Sequence, residues 1–175
     1  MIYADATEYI ALSRAFRRLP GDIKAKAFAR AGRRVTQQAR TQYLRRASPR
    51  LKLTQKVIKD LTTARFNAGG NTSEVIVKSG WIPLAKLSAT QTSRGVYVRP
   101  RGSYRHAFLA TMASGHRGVF MRKGAARLPI RELFGPNPAH DITNNDRVYL
   151  EVLAEVIEEK LAPRVLHETE QLLPD

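Results

Sequence analysis

The residues best equipped for chemistry in this chain are arginines, and they are concentrated in one region. From Arg14 to Arg65 the sequence holds 16 Lys or Arg against Asp22 and Asp60 alone. A guanidinium is a planar, permanently charged fork that grips phosphate or carboxylate through two parallel hydrogen bonds, and a row of them can follow a nucleic-acid backbone. At 100° per residue, Lys26, Arg30, Arg33, Arg34 and Arg40 gather on one side of a helix, opposite Phe28, Ala31, Val35 and Ala39, with Tyr43 at the edge of that apolar face. These five cations, with Arg45 beyond them, are the candidate contacts for DNA or an acidic partner. A solvated basic face is the competing reading of the same stripe. Tyr97, Arg99, Arg101, Tyr104 and Arg105 form a second basic patch with interleaved aromatics, which also describes an ordinary exposed strand and its loop.

Other chemistry finds little support. His106, His116, His140 and His167 match no metal-ligand spacing, and the chain has no cysteine to complete a site. His116 falls in a hairpin loop with no evident partner, so it reads as an exposed or hydrogen-bonded loop histidine rather than a base. Glu151, Glu155 and Glu159 share a helix face at four-residue spacing, which suits a solvated ridge or a contact for a basic partner better than paired acid and base. Gly69-Gly70 and Gly115 complete neither G-x-G-x-x-G nor a P-loop, and no G-x-S-x-G elbow is present. The expectation is a protein that is not an enzyme and needs no metal or cofactor.

Length and composition bound the answer further. The chain has 175 residues, 30 Lys and Arg, 15 Asp and Glu, and a formal net charge of +15. That length suits one domain, and 43% hydrophobic residues is enough for a core. No apolar stretch reaches the ~20 residues of a membrane span. The N-terminus lacks the basic and apolar blocks of an export signal, so a soluble chain acting where it is made is expected, without membrane partners. Charge is lopsided: Asp146 to Asp175 holds 8 acidic residues against Arg147, Lys160 and Arg164. Ends of opposite sign permit copies to associate head to tail.

The elements that must position these residues read as α+β: helices at the N-terminus and a long C-terminal helix, packed on a small antiparallel sheet. Residues 1–175 are expected as a single domain, with 1–66 mainly helical, 67–133 mainly strands and 145–173 the final helix. A first helix is predicted over Ala6–Leu19, stopped by Pro20-Gly21, and a second from Asp22 to about Arg46, broken by Ser48-Pro49. A third spans Leu51 to about Phe66 with Leu53, Val57, Ile58 and Leu61 inward. Strands are predicted at Glu74–Lys78, Gly95–Arg99, His106–Met112 and Gly118–Arg122, the last two as a hairpin, with an irregular strand over Trp81–Leu87. Leu128-Pro129-Ile130 and Phe134 to Pro138 read as loop. The final helix carries Val152, Leu153, Val156, Ile157, Leu161 and Val165 inward, Glu151, Glu155, Glu158 and Glu159 outward, and a break or kink at Pro163.

One run is distinctive as a string. Residues 108–138 read FLATMASGHRGVFMRKGAARLPIRELFGPNP: an aromatic-led strand, a Gly-His-Arg-Gly loop at Gly115–Gly118, a second strand into a basic turn, then Arg127-Leu128-Pro129-Ile130 followed by Phe134-Gly135-Pro136. It resembles the phage minor tail protein Z family. Looser similarity extends to the basic helical region before it, to Trp81-Ile82-Pro83-Leu84 and to the closing amphipathic helix, and is weakest over 1–20 and 88–105. The resemblance implies a tail-completion or neck protein: a structural, non-enzymatic virion subunit at the head-proximal end of a long tail, needed for productive head–tail joining. It further implies a homo-oligomeric ring around the DNA channel, with tail terminator or tail tube proteins and head-side connector proteins as neighbours, phage DNA within, and assembly in the host cytoplasm.

Leu128, Pro129, Ile130 and Phe134 are then a flap on their own sheet or, less simply, an arm that docks on the next subunit. The alternative, from a different class, is a free basic nucleic-acid-binding protein with no virion role.

Overall fold

A computed structural model describes residues 20–69 and 72–172; the helix expected over Ala6–Leu19 lies outside them. Helices and small antiparallel sheets make this an α+β protein, as expected.

Helix α1 runs from Gly21 to Leu51. It starts with Lys24 N donating to the Pro20 carbonyl at 3.2 Å, and Asp22 places a carboxylate in the first turn, where the helix dipole favours it. Pro49 does not end it early. A proline in the last turn forfeits only one backbone bond, and a two-bond C-terminal motif closes the helix: Leu53 N to the Ser48 carbonyl, 3.1 Å, and Lys52 N to the Pro49 carbonyl, 3.3 Å. Lys52 adopts the left-handed φ of 49° that this termination requires, and Ser48 Oγ donates to the Leu53 carbonyl at 2.6 Å.

The predicted third helix shrinks to α2, Gln55–Asp60, and the chain from Thr62 to Asn67 is instead strand β1. Periodicity suggested a longer helix, but Thr62 and Thr63 are β-branched, and the helix end is satisfied from outside. Arg40 donates through one guanidinium nitrogen to the carbonyls of Lys59 (2.7 Å) and Thr62 (2.5 Å), groups a helix end leaves open.

Strand β1 pairs with β2, Thr72–Val77. The expected strand at Trp81–Leu87 is a single bridge, Pro83 to Phe134, followed by a 3-10 turn at Leu84–Lys86. Strands β3 (Ala89–Thr92), β4 (Gly95–Val98) and β5 (Gly102–Arg105) form one antiparallel sheet. A second sheet comprises β6 (Ala107–Thr111), β7 (Arg117–Arg122) and β8 (Ile130–Glu132). The predicted hairpin is present, with Thr111 opposite Arg117 and Phe108 opposite Phe120. Gly115 takes φ 81° in its loop. Ile130, expected in a loop, pairs with Arg122 as the start of β8.

Helix α3, Pro138–Asn144, was not anticipated; Asn137 caps it by accepting from Ala139 N at 3.1 Å, and Pro138 occupies its first turn. Helix α4 then runs unbroken from Asp146 to Glu170. Pro163 lies inside it and forfeits one backbone hydrogen bond, but the helix continues and is packed on both sides of it, with Val156 before it and Glu168 and Thr169 after it buried. Val152 and Val156 of the predicted stripe are buried, but Ile157 is exposed; the four glutamates face solvent as expected.

Contacts divide the chain into two compact units. Within the described residues, the first comprises 20–39, 64–69, 72–74 and 153–172; the second comprises 40–63 and 75–152. In the first, Ala27, Ala31, Val35 and Ala39 form the buried face of α1, and the Phe28 and Phe66 rings stand 6.4 Å apart. Gly32 faces Phe66 so closely that a Cβ there would overlap the ring. In the second unit a single apolar cluster gathers Leu44, Leu53, Ile58, Leu84, Val98 and Val119, which is the core on which the two three-stranded sheets rest. No helix among the described residues is long and apolar enough to cross a membrane.

Candidate functional site

The candidate arginines do not stay together. Helix α1 supplies Lys26, Arg30, Arg33 and Arg34 to the first unit, and Arg40 and Arg45 to the second. Lys26 pairs with Asp22 one turn away at 3.7 Å, both side chains being well exposed. Arg45 is exposed on the second unit. Arg40 is half-buried and spends its guanidinium on the backbone carbonyls at the end of α2. Its place on the basic stripe is therefore corrected to a structural one: helical periodicity cannot see that another element folds back over that part of the face.

Arg30, Arg33 and Arg34 line a groove of about 770 Å³ in the first unit. Positions three and four apart lie on adjacent turns, so the three guanidiniums present one surface. The opposite contribution comes from α4, through Arg164, His167 and Glu168, with Phe66 of β1 in the lining. Glu168 is buried. Arg164 holds it at 2.5 Å one turn along the helix, and Arg30 approaches its other oxygen at 4.0 Å. Thr36, also buried, donates to the Gly32 carbonyl at 2.7 Å and lies 2.9 Å from Ser73 Oγ. Among the described residues Arg33 and Arg34 have no ion pair, and both are exposed.

The charge count in this groove decides what it can do. Four guanidiniums share one carboxylate, and that carboxylate is drawn toward two of them. A concave surface with uncompensated positive charge focuses its field outward and attracts anions. Arg164 and Glu168 were missed in the sequence although they fall within the predicted final helix, because the basic stripe was read from α1 alone. Their spacing, an Arg four residues before a Glu, was the available signal.

The second unit contains a polar cluster with the opposite balance. Asp141 accepts from the Tyr149 hydroxyl in a very short contact, from Asn145 Nδ2 at 3.0 Å, and from Arg50 at 3.4 and 3.5 Å. The Tyr43 and Tyr149 rings stand 5.3 Å apart. Burial, then the nearby Asp141 charge, pushes the Tyr43 phenol up to about 12. Burial, then the hydrogen bond to Asp141, also pushes the Tyr149 phenol well above its ordinary value. Arg50, Tyr149 and Asn145 converge on one carboxylate, while the buried Tyr43 hydroxyl has no hydrogen-bond partner among the described residues; one guanidinium against one carboxylate leaves the cluster no spare charge for a ligand.

The remaining candidates are dispersed. Leu128 is 66% exposed and Phe134 47%, Pro129 is exposed, and Ile130 is half-buried in β8. The backbone of this segment is pinned by Lys123 N to the Pro129 carbonyl at 3.0 Å, Leu133 N to the Val119 carbonyl at 2.8 Å and Gly135 N to the Ile82 carbonyl at 2.7 Å. It is thus a braced turn with outward apolar side chains. Arg101 of the second basic patch bonds the Leu51 carbonyl at 2.7 Å and the Tyr104 hydroxyl at 3.0 Å. His116, expected without a partner, has one: its Nε2 is 3.0 Å from each oxygen of Glu132. Among the described residues no three His, Asp or Glu are placed to hold a metal ion. No family model, no curated protein and no solved structure matches the chain.

Proposed function

We propose that the chain is a non-enzymatic virion subunit of a long-tailed phage, acting at the head-proximal end of the tail in head–tail joining. The observation that carries this reading is the run from Phe108 to Pro138. The residues that resemble the minor tail protein Z family make a continuous meander, β6 to β7 to β8, whose return turn is braced by backbone bonds. That turn leaves Leu128 exposed, and Phe134, past the end of β8, is exposed as well. Trp81, 62% exposed, stands close by in sequence pairing, since Pro83 bridges to Phe134. A rigid turn bearing large apolar side chains suits a subunit whose neighbours cover it. Partners on this reading are further copies in a ring, tail terminator or tube proteins, and the head-side connector.

Electron microscopy of phage particles carrying a tagged copy, beside particles made without the gene, tests it. Label at the head–tail junction, with filled heads and unjoined tails in the gene's absence, is the expected result. Normal, infectious, unlabelled virions would overturn it. A second reading, a nucleic-acid-binding protein with no virion role, is favoured by the arginine groove and would then stand alone.

A further inference from the structure

The groove of the first unit is more specific than a basic stripe. It combines Arg30, Arg33 and Arg34 from α1 with Arg164 from α4, while Arg40 and Arg45 of the same helix have no part in it. Among the described residues its permanent cations are four arginines, with no lysine. We propose that this groove is a sequence-independent binding site for the phosphodiester backbone of nucleic acid, with Arg33 and Arg34 as its principal contacts and Arg30 and Arg164 at its margin.

The division of labour follows from the ion pairs. Arg164 is committed to Glu168 at 2.5 Å, and Arg30 is partly drawn to it at 4.0 Å, so these two are fixed but partly neutralised. Arg33 and Arg34 keep their full charge and their donors. An acidic peptide is the other polyanion of this charge, but a helix or strand docking in a groove is anchored by apolar side chains entering pockets. Here the apolar lining is confined to Phe66 and Ala64, and Phe66 is already packed against Phe28. Phosphodiester needs no such anchor; a repeated negative charge meeting guanidinium forks is sufficient. The excess of 30 basic over 15 acidic residues adds a long-range attraction of the same sign.

This proposal stands whether or not the chain belongs to a virion. Its test uses purified full-length protein, so its failure leaves the particle experiment untouched. Anisotropy of a labelled DNA duplex, titrated across a salt series, gives affinity and the slope of log K against log salt. Arg33→Ala with Arg34→Ala is expected to weaken binding by about tenfold or more near physiological salt and to flatten the slope by about 1.8, two phosphate contacts at roughly 0.9 each. Arg33→Lys with Arg34→Lys keeps the charge and should keep most of the slope. Lys56→Ala with Lys123→Ala removes two exposed charges outside the groove and should leave the slope nearly unchanged. Equal losses in the groove and control variants would overturn the proposal, since binding would then report net charge alone. So would an intact slope in Arg33→Ala/Arg34→Ala, or displacement of the duplex by a synthetic peptide of residues 151–160 with no effect of those substitutions on duplex affinity.

Discussion

The groove of the first unit and the tyrosine cluster of the second are both built from arginine and carboxylate on helices, yet they have opposite balances. Around Asp141, one carboxylate accepts from Arg50, Tyr149 and Asn145. Around Glu168, one carboxylate faces four arginines, two of which have no acidic partner among the described residues. The first arrangement is closed in charge: one guanidinium meets one carboxylate, which also accepts from Tyr149 and Asn145. The second is open, because among the described residues of the groove the excess charge meets no further carboxylate. Charge stoichiometry within a cluster, rather than the number of cations in the chain, separates an arginine that holds the fold from one able to hold a ligand.

The largest effect should come from breaking the closed cluster. Asp141→Ala leaves the buried Tyr149 hydroxyl and the Arg50 guanidinium without their acceptor. It is expected to cost about 3 kcal/mol in urea unfolding, at the upper end for hydrogen bonds involving a charged group. A loss below about 1 kcal/mol would mean the cluster is not matched as described.

The same cluster predicts an alkaline limit. Both phenols are raised above the unfolded value of about 10, Tyr43 to about 12, so the folded state holds protons that the unfolded state releases. Their contribution to stability is complete below pH 10 and is lost as pH rises toward 12. Tyr43→Phe should make that loss shallower in thermal melts between pH 9 and pH 12, a window set by those two values. An unchanged profile would show that Tyr43 does not contribute.

Glu168→Gln sharpens the comparison from the open side. It keeps the side chain's shape while removing the charge paired with a one-third exposed Arg164. The stability cost, discounted for that exposure, should be about 1 kcal/mol. Duplex affinity should rise, because the groove loses the one carboxylate that lines it among the described residues. A fall in affinity would contradict the charge count. Gly32→Ala should be destabilising on balance. A Cβ meets the Phe66 ring, an overpacking cost of about 1–3 kcal/mol, against a helix-propensity gain of up to about 1. The same substitution in a Phe66→Ala background should turn stabilising, and the coupling between the two measures the contact.

Much of this was legible in the sequence, and the reasons differ by element. The buried face of α1 was readable because Ala31, Val35 and Ala39 keep the helical period without interruption, and the β6–β7 hairpin because its strands are β-branched and aromatic around a glycine loop. The three arginines of the groove were readable for the same reason as the apolar face opposite them. What failed was nonlocal. Arg40 looks like its neighbours on a helical wheel, and only the folding back of α2 turns it into a cap. Leu61 continued a helical pattern that Thr62 ended as a strand. Arg164 and Glu168 fall within the predicted final helix, but their place beside the α1 arginines is a contact between distant segments that helical periodicity does not report. Arg50 and Asp141 are 91 residues apart, with Tyr149 8 further on, and no spacing rule joins them.

The most direct test of the central distinction sets one arginine from each cluster side by side. Arg34→Ala and Arg50→Ala each remove one guanidinium from α1, and both variants are carried through urea unfolding and duplex titration across the same salt series. The account predicts a crossed result. Arg34→Ala stays within about 0.5 kcal/mol of the parent in stability and flattens the salt slope by about 0.9, while Arg50→Ala loses stability and keeps the slope. Equal losses of affinity in the two variants, or a destabilisation by Arg34→Ala as large as that by Arg50→Ala, would contradict it.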